Sequence, residues 1–185
     1  MATFVIEHLE PRLYKWSLLE YTHISEKVCK KNLLFTNTNS KKLQKLGKTS
    51  KNSVTKLKLE KACVLDPEAP QTLTPTLARK FQYFIFGGIL GDYPPKKRTS
   101  SSLTIKLSCP AFNLGKEQMS TDTAVLVVQK ITQGKKLSQL QFQQGLALKV
   151  AEGEEVILPY QYLVEKGKPV VTPGLKEMLK KQKSF

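Results

Sequence analysis

The chain has 185 residues, a length that suits a single domain and is enough to bury a real core. Thirty Lys+Arg against fifteen Asp+Glu give a formal net charge of +15, which favours acidic partners such as nucleic acid or ribosomes and leaves the chemistry open. No stretch approaches the ~20 apolar residues of a membrane span, the N-terminal residues lack the pattern of a secretory signal, and Cys29, Cys63 and Cys109 are odd in number and far apart, which excludes a disulfide framework or a C-x-x-C metal half-site. The expectation is a soluble cytoplasmic protein with no membrane partner.

In chain order, Phe4-Val5-Ile6 has the pattern of a short strand, with the polar group Glu7-His8-Leu9-Glu10 at its end and Pro11 stopping it. From Leu13 to Lys31, Leu13, Trp16, Leu19 and Ile24, with Tyr14, Leu18, Tyr21 and Val28, form a wide helical stripe. Leu33-Leu34-Phe35-Thr36 follows as a second strand, so the opening is a strand, helix, strand unit of the parallel type. Lys41 to Lys61 carries eight lysines and one carboxylate, Glu60. It is expected to be solvated and partly mobile, either as a surface loop or frayed helix or as an arm that grips phosphates without base stacking, since no aromatic residue interrupts it.

Ala62-Cys63-Val64-Leu65 is the next strand, broken at Asp66-Pro67. Thr74-Pro75 marks a helix start, with a capping residue and a proline at the first helical position. The run Tyr83-Phe84-Ile85-Phe86 then feeds Gly87-Gly88-Ile89-Leu90-Gly91-Asp92-Tyr93-Pro94-Pro95. Beyond Lys96, Lys97 and Arg98, a strand is expected around Leu103 to Leu107. Met119 to Ala124 precedes an apolar run and predicts a helix from about Asp122 to Thr132, with β-branched residues leaving a strand in competition. Val156 to Tyr162 and Pro169 to Val171 suggest a short extended segment, and Gly174 to Lys181 a basic terminal helix.

A strand ending in clustered glycines lets a ligand lie against bare backbone, and in an open α/β sheet such ligands collect outside the carboxyl ends of the strands. The alternative is a tight turn and nothing more. Neither the G-x-G-x-x-G fingerprint nor the P-loop fits G-G-I-L-G-D, and Asp92 would repel a phosphate. The loop suits a ligand with hydroxyls, an amine or a positive centre. There is no G-x-S-x-G elbow and no H-E-x-x-H, and His8 and His23 have no partner at ligand spacing, so hydrolase and metal chemistry are set aside. His23 is expected at the surface or its boundary. Fold logic brings Leu65-Asp66-Pro67, Gly87 to Pro95 and Met119 to Ala124 to one pocket, which would gather Asp66, Asp92 and Asp122, balanced by Arg98 or by a cationic ligand. Each Asp has a competing role as a cap or turn residue.

Phe86 to Pro95, Arg98-Thr99, Gln118 to Ala124, Ile6-Glu7-His8, and Trp16 with Leu19-Glu20-Tyr21 together resemble a branch of the SPOUT methyltransferases, the one that includes the fungal ribosomal-protein arginine methyltransferase. The resemblance runs in order from Phe4 to about Pro173. It implies one α/β domain spanning 1–185, a mostly parallel sheet flanked by helices with a C-terminal trefoil knot, and S-adenosyl-L-methionine bound bent among three loops. Carried onto this chain, the cofactor contacts are Leu65, Asp66, Gly87, Gly88, Ile89, Leu90, Gly91, Met119, Asp122, Thr123 and Ala124. Two departures stand out: Tyr93 occupies a position where relatives carry His, and the lysine-rich stretch replaces a longer, less basic middle.

The implied activity is methylation of an arginine on a small-subunit ribosomal protein by a monomer. A guanidinium is protonated at neutral pH, so a carboxylate must hold it and help its proton leave. Glu7 and Asp92 are the catalytic candidates, with an exposed strand-end charge as the alternative for Glu7. A SPOUT RNA methyltransferase acting on rRNA or tRNA, using the basic segments for nonspecific RNA contact, is the first rival. A non-catalytic ribosome-associated binding module is the second. Acidic groups at the pocket mouth would favour the guanidinium substrate.

Overall fold

The computed structural model describes residues 2–90 and 98–181. At its centre lie six strands: β1 (Thr3–His8), β2 (Leu33–Thr36), β3 (Lys48–Thr49), β4 (Ala62–Leu65), β5 (Tyr83–Gly88) and β6 (Ala111–Phe112). They run in the spatial order β3-β2-β1-β5-β4-β6, and every pairing is parallel. Sheets of this kind are covered on both faces, so their inner strands are apolar throughout. Val5, Ile6, Cys63, Val64, Phe84 and Ile85 are accordingly buried.

Parallel neighbours cannot be joined by tight turns, and the crossovers carry the helices. These are α1 (Lys15–Val28), α2 (Lys41–Gln44), α3 (Pro75–Ala78) and α4 (Thr121–Thr132). Thr74 caps α3 as expected, its hydroxyl accepting from the Leu77 N–H. The competition over α4 is decided for helix: it packs on α1, and its valines fill the main core with Ile131 instead of pairing with a strand. Tyr21, Ile24 and Val28 of α1 enter the same core, while Val5, Val54, Val64, Ile85 and Leu103 form a second core.

Three expectations are corrected. Leu103 to Leu107 is not a strand: Ser100–Thr104 forms a turn of π-helix. In a strand Leu103, Ile105 and Leu107 would share one face. Instead Leu103 is buried, Leu107 packs beside it four residues on, and Ile105 is 79% exposed. Lys41 to Lys61 is folded into the domain, not a partly mobile surface loop or frayed helix. It contains α2, β3 and a 3-10 turn at Val54–Lys56, held by buried Leu43 and Val54.

The third correction is the C-terminal segment, which is much more than a short extended tail. β7 (Gln141–Ala151) and β8 (Glu154–Glu165) make a long antiparallel hairpin, with β9 (Lys168–Pro169) added at β8. β7 alternates half-buried apolar residues with exposed Gln, Ala and Lys, so its apolar signal is weak. The register shifts between Gln144 and Leu146, where Gly145 has φ 70° and allows a bulge. The Gln161 N–H donates to Gln118 O at 2.8 Å and ties the hairpin to the segment before α4. The terminal helix α5 (Leu175–Lys181) packs Leu175 and Met178 against Tyr160 and Tyr162 of the hairpin. Among the described residues no helix is long and apolar enough to cross a membrane.

Candidate active site

The carboxyl ends of β4, β5 and β6 open into one cavity of about 860 Å³, within the range of roughly 300–1,000 Å³ usual for small-ligand sites. Its walls come from three separate turns: Leu65 to Glu68, Phe86 to Leu90, and Phe112 to Thr121. Trp16 and Glu20 of α1 close one side, and Gln144, Gly145, Pro159 and Tyr160 of the hairpin close another. The convergence expected from fold logic is therefore present in space. Of the expected contacts, Leu65, Asp66, Gly87, Ile89, Leu90, Met119 and Ala124 line this cavity. Gly91 and Asp92 lie outside the described residues.

Gly87 and Gly88 do different work. A Cβ on Gly87 would meet Ile89 Cδ1 at 3.0 Å and Thr99 Oγ1 at 3.1 Å, both lining atoms of the cavity floor. On Gly88 it would come within 2.3 Å of the Tyr21 hydroxyl and 3.0 Å of the Glu7 carbonyl. Gly88 thus lets α1 approach β5, and the same Tyr21 hydroxyl meets His8 Nδ1 at 3.1 Å. Beyond β5, Glu10 accepts from the Leu90 N–H at 2.9 Å and from Arg98 Nη1 at 3.1 Å. Arg98 Nη2 also donates to the Leu90 carbonyl. Arg98 therefore closes a clasp with Glu10 around Leu90; the pairing with Asp92 expected from sequence lies outside the described residues.

Asp122 does not line the cavity. Oδ1 accepts from Ser120 Oγ at 2.6 Å and from the Thr123 N–H at 2.9 Å, while Oδ2 accepts from Thr172 Oγ1 at 2.6 Å and faces His23 Nδ1 at 2.8 Å. A carboxylate has about four lone-pair directions, and these partners occupy them. His23 is correspondingly buried, not at the surface. Burial alone would raise the Asp122 pKa, but hydrogen bonds from His23, Ser120 and Thr172 outweigh it and hold the group below its ordinary range. Thr123 stands behind the wall with it, its hydroxyl 2.8 Å from that of Ser120, whose one proton goes to Asp122. Both residues shape the third turn from outside the cavity. Asp66 does line the cavity, yet it also serves as a turn residue, accepting from the Glu68 N–H and from Thr104 Oγ1.

Glu7 is placed against expectation. It is buried, and its Oε2 accepts from Thr36 Oγ1 at 2.5 Å and from the Val54 N–H at 2.9 Å, outside the cavity lining. The strand-end carboxylate orders the folded lysine-rich segment. One of the carboxylates on the cavity wall is Glu20, which sequence reasoning passed over as a site residue. Trp16 Nε1 donates to Glu20 Oε1 at 2.9 Å, one helical turn apart. Burial, then the negative Asp122, push the Glu20 carboxyl well above the usual range. An acid on the apolar stripe of α1, four residues after a tryptophan, was the available signal.

A family model described as "SFM1-like: Protein arginine N-methyltransferase SFM1-like" matches residues 3–184. The chain belongs to this family. Protein arginine N-methyltransferase SFM1 of Saccharomyces cerevisiae is 33% identical over 203 aligned positions, covering 96% of this chain and 94% of the relative. The crystal structure of yeast SFM1 complexed with SAM superposes with a TM-score of 0.88 at 31% identity, over 98% of this chain and 91% of that one. The complex with SAH gives 0.87 at 30% identity, over 96% and 94%. A Trm10 from Thermococcus kodakaraensis, 14% identical, shares the fold with a TM-score of 0.56 over 75% of this chain and 96% of its own. The sheet and its flanking helices are a SPOUT-like α/β fold.

Proposed function

We propose that the protein is an S-adenosyl-L-methionine-dependent methyltransferase that modifies an arginine of a protein, with a small-subunit ribosomal protein as substrate, and that it acts as a cytoplasmic monomer. The observation that carries the choice of substrate is the charge of the cavity. In a chain of net +15, the described lining holds Glu20, Asp66, Glu68 and Glu117 against Arg98 and Lys116. An acidic mouth favours a guanidinium and repels phosphodiester.

The residues present also suit the methyl donor. Leu65, Phe86, Ile89, Leu114 and Met119 give apolar walls, the carboxylates suit hydroxyls and a positive centre, and Gly87 leaves a floor that a single methyl group would raise. When bound, S-adenosyl-L-methionine supplies a methyl group on a sulfonium. The trefoil knot implied by the family resemblance is carried as part of this reading.

The chain's own contribution is positioning and proton handling. Burial and Asp122 push the Glu20 carboxyl upward, and a bound guanidinium draws it back toward the carboxylate form, any proton it holds leaving to solvent. The ion pair orients a guanidinium nitrogen, and the carboxylate then takes the proton that this nitrogen releases. Trp16 holds Glu20 in place from the next turn, and Asp92 is the second carboxylate proposed for the guanidinium. Incubation with labelled S-adenosyl-L-methionine and ribosomal subunits tests the reading. Label should enter protein as methylarginine, and Asp92→Ala should stop the transfer. Label found in RNA alone would replace the proposal with an RNA methyltransferase, and no label in either would leave the binding-module reading.

A further inference from the structure

The lysine-rich segment has no part in the cavity, and the structure changes what it can be. All eight lysines, Lys41, Lys42, Lys45, Lys48, Lys51, Lys56, Lys58 and Lys61, are exposed. Their backbone is fastened at both faces of the sheet. Leu43 is buried in the core beneath α1 and α4, and Val54 in the core of the opposite face. Between them β3 pairs with β2, Ser50 N–H donates to Phe35 O at 2.8 Å, and Asn37 and Thr38 donate to Asn52 O and Ser50 O. Buried Glu7 completes the fastening at the Val54 N–H. The charges therefore wrap the β3 edge on a fixed platform.

Among the described residues, none of these eight lysines forms an ion pair, and Glu60 is the only carboxylate in the segment. A single lysine suffices to guard an edge strand against pairing. Eight unneutralised charges carried through a folded lobe exceed that need and make a strongly positive surface. None of the cavity-lining residues belongs to it, so the acidic cavity and the basic edge are separate regions of the surface.

We propose that the Lys41–Lys61 lobe is an RNA-docking face that grips the phosphodiester backbone without reading bases, separate from the transfer cavity. RNA fits better than a lipid surface because the lysines curve around a sheet edge and no exposed aromatic or large apolar side chain accompanies them for insertion. The absence of aromatic residues likewise removes base stacking, so the grip is electrostatic. On a ribosomal particle, this face would hold RNA while the cavity takes an arginine. That last step rests on the proposed activity, whereas RNA binding itself does not.

The test is fluorescence anisotropy of labelled single-stranded and duplex RNA against salt, with the full chain. If about four lysines engage phosphates, affinity should fall about 50-fold for single strands and about 150-fold for duplex between 50 and 200 mM salt. Replacing Lys41, Lys42, Lys45, Lys51, Lys56 and Lys58 together by Gln should remove most of this binding and flatten the salt dependence. The melting temperature and methyl transfer to an arginine peptide should stay unchanged. Equal RNA affinity in the variant would overturn the proposal, as would tighter binding of the wild-type chain to phosphatidylserine vesicles than to RNA. Failure of transfer to the peptide in both chains, with the RNA difference intact, would remove the proposed activity and keep the docking face.

Discussion

Adjacent glycines at the end of β5 should fail in opposite ways when each receives one methyl group. At Gly88 the added Cβ lands 2.3 Å from the Tyr21 hydroxyl, 2.9 Å from Ile6 Cγ2 and 3.0 Å from the Glu7 carbonyl. One of these is backbone, and Ile6 is held in the centre of the sheet, so α1 or β5 must move. Overpacking of this kind costs about 1–3 kcal/mol, offset by about 0.4–1 kcal/mol from the less flexible unfolded chain. For a chain of this size each kcal/mol shifts Tm by about 2–4 °C, so Gly88→Ala should melt several degrees early. Tyr21→Phe in the same chain removes the nearest clashing atom and should recover part of the loss.

At Gly87 the nearest atoms are the ends of the Ile89 and Thr99 side chains, 3.0 and 3.1 Å away, which can yield by a few tenths of an ångström. Gly87→Ala should therefore leave Tm within about 1–2 °C. It should weaken binding of S-adenosylhomocysteine about tenfold or more, because the methyl group raises the cavity floor. Thermal melts and titration calorimetry on the two variants read both quantities. A Gly87→Ala protein that binds the donor product normally would refute the cradle, and a Gly88→Ala protein with unchanged Tm would refute the packing argument.

Glu20→Gln should lower kcat by about 10²–10⁴-fold while raising Tm at neutral pH. Because the folded pKa of Glu20 lies above its unfolded value, its contribution to stability is greatest below about pH 4.3 and declines as pH rises toward the folded pKa. The Tm advantage of the variant should therefore grow across that window, and a constant difference would contradict the burial argument. Asp122 has the opposite sign: its folded pKa is depressed, so its stabilisation is present above about pH 3.9 and is lost as pH falls through the folded value. Asp122→Asn should cost about 3–5 kcal/mol at pH 7 and progressively less as pH falls below about 3.9 in denaturant titrations. Glu7→Gln should leave kcat within a factor of two or so and cost about 1.5–3 kcal/mol of local stability at the lysine-rich lobe, read as faster amide exchange at Val54. A large loss of kcat would return Glu7 to the catalytic site.

Legibility followed the strength of local pattern. β2 and β4 were visible to the residue because both are continuous apolar runs bounded by breakers, and α3 because Thr74-Pro75 is a start signal with a mechanism. Leu103 to Leu107 misled because alternation and an i,i+4 stripe agree on Leu103 and Leu107 and differ only at Ile105, whose exposure local sequence does not fix. The lysine-rich lobe reads as a loop or frayed helix because Leu43 and Val54, its two anchors, are single apolar residues among charges. At the site, the three turns were visible as strand ends and glycines. The roles of individual carboxylates were not, since they depend on distant partners: Glu7 on Val54, Asp122 on His23 and Thr172, and Glu20 on its exposure to a cavity formed by α1 with the sheet.

Hydrogen exchange with and without S-adenosylhomocysteine tests most directly whether three separated turns form one donor site. Slowed exchange should appear together in Leu65 to Glu68, Gly87 to Leu90 and Gln118 to Ala124, with the lysine-rich lobe unchanged. Protection confined to one of the three turns, or appearing only elsewhere on the chain, would contradict the shared cavity.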